Sequence, residues 1–270
     1  MNGRAIEAVV RRDLVVVMGS RSVVLPALIV PAMLLVVLPA LAGLAPVLLG
    51  SVTAGDMFLV LEALPPEASA RLSGDPSTQA AELAVTYLLA PMILIVPVMF
   101  ATVIAADALA GEKERGTLEG LLLTPLSDRE LVMAKLIAAW VPAAVLGLAG
   151  AVVYAGVANL VVMPQTGQLV LPTPEYAVMA LWVGPTFAAA ALGAIVLVSV
   201  RSSSTQEAFQ LGGVVVLPVV VIVITQATGV VLLSVPLLLT SGLVALGIAA
   251  VLLLIGSRVL SRTRMGEKLG

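Results

Sequence analysis

Apolar residues fill this chain in long blocks, separated by short stretches where polar and charged positions collect. A helix crosses a bilayer core with about 20 consecutive apolar residues. Windows of that kind fall at about 23–45, 83–106, 136–160, 177–200, 209–229 and 234–257. The last two lie a few residues apart and read as a tight helical hairpin. Ahead of the first window, Ile6, Val9, Val10, Leu14 and Val17 recur at helical spacing, while Arg4, Glu7, Arg11 and Arg12 take much of the remaining surface. This predicts an amphipathic helix over 4–20 lying in the membrane interface, its arginines reaching phosphate headgroups. The expected fold class is all-α integral membrane: six transmembrane helices and an N-terminal interfacial amphipathic helix, in one domain over 1–270.

Composition supports the same class. With 60% hydrophobic and 11% charged residues, the chain carries more apolar surface than a soluble domain of its size hides. His and Cys are both absent, which removes disulfides, thiolate metal sites and Ser–His or Cys–His catalysis. No G-x-x-x-x-G-K-[ST] segment occurs, so ATP is not bound here by that route. No window carries a charge near its centre, where ion-coupled carriers place the groups that hold their ion. We therefore expect no catalytic residue, no metal and no nucleic-acid partner on this chain.

Orientation follows from the basic residues. With the N-terminus inside, every Lys and Arg except Arg71 falls in a cytoplasmic segment. Both termini are then cytoplasmic, and the protein is expected in a prokaryotic inner membrane as a multi-pass chain. The outer loop 46–82 holds Asp56, Glu62, Glu67, Asp75 and Glu82 against Arg71, with one short helix possible over 56–64. A second outer loop, 161–175, contains Pro164, Gly167, Pro172 and Pro174 and is expected to be irregular. Thr173 before Pro174 suits the cap and first position of the fourth span. Pro26, Pro31, Pro91, Pro97, Pro142, Pro185 and Pro218 are expected to bend their spans.

Two cytoplasmic turns carry an S-x-x-E capping box before an apolar run: Ser127 with Glu130, and Ser204 with Glu207. The segment 107–133 carries more. Glu112, Lys113, Glu114, Arg115 and Glu119 alternate in sign, followed by Leu121, Leu122 and Leu123 and the stop at Thr124-Pro125. After Lys135 the next charge is Glu175. A short salt-bridged helix with a leucine end fits docking into a groove better than exposure to water.

The run Gly111-Glu112-Lys113-Glu114-Arg115-Gly116-Thr117-Leu118-Glu119, then Leu121-Leu122-Leu123-Thr124-Pro125-Leu126-Ser127, Leu131 and Lys135, closely resembles the signature of ABC-2 type transporter permeases. The segment 202–210 resembles the second cytoplasmic connection of the same family. The resemblance implies a membrane subunit that pairs with a second permease chain, as a homo- or heterodimer, and with ATPase subunits that bind ATP and Mg on separate chains. It further implies that 107–133 is a coupling segment seated in the ATPase. Glu112, Lys113, Glu114, Arg115, Gly116, Thr117, Leu118, Glu119, Leu122, Thr124 and Pro125 would make or shape that contact. Glu114 and Glu119 would act electrostatically, and Gly116 and Pro125 would set the backbone. Two rival readings are an ATP-independent carrier or channel and a non-transport membrane scaffold.

Overall fold

The computed structural model describes residues 29–49, 72, 74–111, 128–202, 204–227 and 234–259. The interfacial helix expected over 4–20, the possible short helix over 56–64 and the connection 112–127 lie outside them. Every regular element among the described residues is helical. Five helices there are long and apolar enough to cross a membrane: Ile29–Leu48, Pro76–Ala106, Met133–Thr166, Pro174–Ser199 and Val235–Gly256.

The spans are not uniform α-helices. The first passes through a widened π turn at Met33–Val37 into α1 (Leu38–Leu49). The second begins as α2 (Pro76–Leu83), widens at Ala84–Leu88, tightens to 3₁₀ at Ala90–Leu94, continues as α3 (Ile95–Ala106) and ends in a π turn at Asp107–Gly111. The third is α4 (Asp128–Thr166), 39 residues long. At 1.5 Å per residue it measures about 58 Å, nearly twice a bilayer core of ~30 Å, so it projects beyond the membrane. The fourth is α5 (Pro174–Val178), a π turn at Met179–Val183 and α6 (Gly184–Arg201).

Where the sequence suggested a fifth span at 209–229, the helix is segmented. α7 (Thr205–Gly212) leads through a 3₁₀ stretch at Gly213–Val216 into α8 (Leu217–Ala227). Pro218 supplies the reason, since it has no N–H for the Val214 carbonyl and its ring crowds that turn. The final span is α9 (Val235–Val259).

Proline also explains three of the π turns. Leu38 donates its N–H to Met33 O just before Pro39, and Gly184 donates to Met179 O just before Pro185. Leu89 donates to Ala84 O at 2.8 Å, two residues before Pro91. An extra residue in the preceding turn moves the carbonyls away from the pyrrolidine ring and keeps one bond that a regular helix would lose.

Helix ends depart from the sequence reading in two places, each through local capping. α2 starts inside the segment read as outer loop, because Asp75 caps it, accepting from Ser77 N at 3.2 Å, from Thr78 Oγ1 at 2.6 Å and from the Ser77 hydroxyl. Glu82, expected in that loop, consequently sits inside a helix and is buried. α4 runs on past Pro164 and stops at Gly167, whose φ of +74° a side chain would disfavour and whose N–H bonds Met163 O at 2.8 Å. The irregular part of the second outer loop is thus 167–173. As expected, Thr173 caps the fourth span, its hydroxyl accepting from Tyr176 N at 3.1 Å.

The bundle has two ends. At the loop end, where 167–173 emerges, the core contains Leu83, Val85, Tyr154, Tyr176, Val162 and Leu171. Tyr154 and Tyr176 stack at 6.0 Å and donate their hydroxyls to Val85 O and Ala151 O, both at 2.6 Å. Asn159 accepts from Val170 N and Leu171 N and donates to Leu171 O, holding the loop to α4. Gln165 reaches Gly43 O of the first span at 2.8 Å. At the connection end a separate, smaller cluster joins Ile104, Ala105, Ala106, Ala139, Leu192, Ile195 and Ala208.

Candidate functional site

The residues that the sequence marks for partner contact, Glu112 to Pro125, lie outside the described residues. The structure places the frame from which their segment hangs. On one side the second span ends in the π turn Asp107–Gly111, with Asp107 and Ala108 buried. On the other side α4 starts at Asp128, immediately after Ser127, the position expected for its cap.

Lys135 ties the two sides together. It lies two turns into α4, is only 8% exposed, and donates Nζ–H to Ala108 O at 2.7 Å. A π turn at a helix end leaves carbonyls without intrahelical donors, and an ammonium is a strong partner for one of them. A buried ammonium in turn needs such partners to offset its lost hydration. The two strands of chain leaving for 112–127 are therefore held at a fixed separation by a charged hydrogen bond.

The second connection packs beside this clamp. α6 ends at Ser202, which is fully buried, with its N–H and its hydroxyl both donating to Val198 O at 3.0 Å. Ser204 then caps α7, accepting from Glu207 N at 3.2 Å, the half of the capping box given by the Ser oxygen. Ala208 of α7 is fully buried against the end of α3. The second connection and the span ends that flank the first thus share one small core made mainly of alanine and aliphatic side chains. Movement of either would be felt at the ends of α3, α4 and α6.

Lys135 belonged to the recognised pattern, yet its structural task was not legible from it. Its sequence signals were its place in that pattern and its position as the last charge before a long apolar run.

The architecture defines a multi-pass helical membrane protein in which Lys135 joins the ends of the second and third spans, from which the charged connection departs. The model of the ABC-2 family transporter protein matches residues 8–263, and the chain belongs to that family. The family's membrane domain is in general a transport subunit without catalysis of its own. Comparison with curated proteins gives no match.

Proposed function

We propose that the chain is the membrane-spanning permease of an ATP-driven exporter, with ATP and Mg bound by separate ATPase subunits and the substrate passing where two permease chains meet. The family match across 8–263 carries this reading, because it contains the charge-dense connection as well as the spans. Segment 112–125 docks in the ATPase on the cytoplasmic side, where both termini also lie. Glu114 and Glu119 meet basic groups of that partner, and Gly116 and Pro125 set the shape of the docked backbone. Closure of the ATPases then pulls on 107–111 and on the start of α4, and Lys135 keeps these two attachment points moving together. The physical task is conformational coupling: partner binding energy favours one arrangement of the helices over another.

The test is extraction of the tagged chain from native membranes in mild detergent, followed by identification of what co-purifies. A stoichiometric ATPase subunit that is lost on Glu114→Lys, with the permease still inserted, is the expected result. An otherwise intact preparation free of ATPase would transfer the assignment to a carrier or channel. ATPase association without ATP-dependent transport in proteoliposomes would point to a scaffold.

A further inference from the structure

Halfway along the bundle, two prolines and two glycines from neighbouring spans meet around a small void. Its lining includes Pro97 of the second span, Gly147 of α4, and Met179, Gly184 and Pro185 of the fourth span. The two glycines differ in how much room they leave. A Cβ at position 147 would come within 2.7 Å of the Pro97 Cβ, and one at 184 would stand 3.4 Å from Pro97 Cγ and from Met179 O. Pro142 interrupts α4 one turn toward the connection end.

Two of the spans that meet here are weakened helices. Next to this layer the second carries the 3₁₀ stretch Ala90–Leu94 around Pro91, and the fourth carries the π turn Met179–Val183 before Pro185. A helix with widened turns and missing donors bends at those turns more readily than a regular one.

What flanks this layer differs on its two sides. Toward the loops, the Tyr154, Tyr176 and Asn159 hydrogen bonds join separate elements within the large core. Toward the connections lie the separate small core and the Lys135–Ala108 bond. Across the layer runs one further bond: Trp140 of α4 donates Nε1–H to Pro185 O at 2.9 Å.

We propose that the second and fourth spans bend together at this layer, their connection-end halves, with the start of α4 that Lys135 ties to the second, swinging against a fixed loop-end half, and the Trp140–Pro185 bond serving as the latch that opens. From Pro97 to Gly111 the moving arm is about 21 Å long. A kink change of about 20° there displaces its tip by about 7 Å. The bend is a property of the chain's own fold and holds whatever energises it, so it is tested without an ATPase.

The chain contains only two tryptophans, Trp140 and Trp182. Trp182 donates Nε1–H to Leu239 O of α9 at 3.2 Å and packs on Gly242, which assigns it to the fixed half. The full chain is labelled with 5-fluorotryptophan in lipid nanodiscs, the two resonances are assigned with Trp182→Phe, and ¹⁹F relaxation dispersion is recorded. Microsecond-to-millisecond exchange at Trp140 and a flat profile at Trp182 are expected. Gly184→Ala, which fills the void at ordinary contact distance, should abolish the exchange at Trp140. Pro185→Ala, which restores a backbone donor, should do the same and serves if Gly184→Ala does not fold. A Trp140 profile as flat as that of Trp182 in the unmodified chain overturns the proposal, as does exchange that persists in a folded variant.

Discussion

The two ends of this bundle solve the same packing problem with different chemistry. The loop end uses aromatic rings and amide side chains whose polar atoms are bonded to backbone carbonyls across elements, as Tyr154, Tyr176, Asn159 and Gln165 show. The connection end uses small and aliphatic side chains, with Ala105, Ala106, Ala139 and Ala208 all nearly inaccessible, and a charged clamp at Lys135. Directional bonds between large side chains fix one arrangement, because any shift leaves a polar atom unsatisfied in a medium without water. Alanine surfaces slide at lower cost. Directional bonding is thus concentrated at the end away from segment 112–127, and small-residue packing at the end that carries it.

Four changes test that contrast. The largest effect is expected from Lys135→Met, which removes the ammonium from Ala108 O. Losing a hydrogen bond to a charged group costs about 1.5–3 kcal/mol. If the clamp couples the two attachment points of 112–127, ATP-driven transport by the reconstituted complex falls at least about tenfold, equivalent to ~1.4 kcal/mol. Retained transport with a lowered thermal midpoint would reduce Lys135 to a stability role.

Gly242→Ala comes next. Its Cβ would fall 2.1 Å from Trp182 Nε1, and the indole is held in place by its bond to Leu239 O. Overpacking of this kind costs about 1–3 kcal/mol. The same change at Gly247, where nothing lies within 4 Å, is the matched control and should leave the thermal midpoint unchanged.

Tyr154→Phe removes one loop-end bond while keeping the ring on Tyr176, for an expected loss of about 1 kcal/mol. Thermal denaturation in detergent should register the loss, and transport should be retained. Transport falling more than stability would contradict the assignment of this end to a static role.

Asp75 should give the smallest effect. Hydrogen bonds from the Ser77 and Thr78 side chains hold its carboxyl down to about 2. A carboxyl lowered from its ordinary value of about 3.9 contributes stability that is complete above that pH and is lost as pH falls toward 2. Asp75→Asn should therefore differ from the native chain in circular dichroism melts at pH 5, and the difference should close near pH 2. A gap of constant size across that range would mean that the charge is not what matters at this cap.

Much of the local structure was legible in the sequence. The Thr173 and Ser204 caps were expected from residue type and spacing, and both form the hydrogen bonds that such caps make. The prolines were expected to disturb their helices, and Pro91, Pro185 and Pro218 each adjoin a widened or tightened turn. The sign and form of the disturbance were not legible, because whether a turn widens or tightens depends on the neighbouring span against which it packs. Pro39, which follows the π turn in the first span, escaped notice altogether. Glu82 was taken for a loop residue, since a single carboxylate beside Asp75 looks solvated until the cap that starts α2 is recognised. The candidate contact at 112–125 came wholly from sequence; the structure contributes its clamp, which no spacing announced.

The sequence by itself determined what a medium of lipid demands of each short stretch: length, apolar content, caps, and the gathering of charge between the apolar blocks. These are local requirements, since a backbone in hydrocarbon must satisfy its own hydrogen bonds wherever it packs. Tertiary structure decided which faces meet. In a helix that is apolar on every side, periodicity does not separate the face that packs from the face that meets lipid. Only assembly shows that Gly147 admits Pro97, that Gly242 receives Trp182 and that Lys135 closes on Ala108. Those choices depend on shape and on partners distant in the chain.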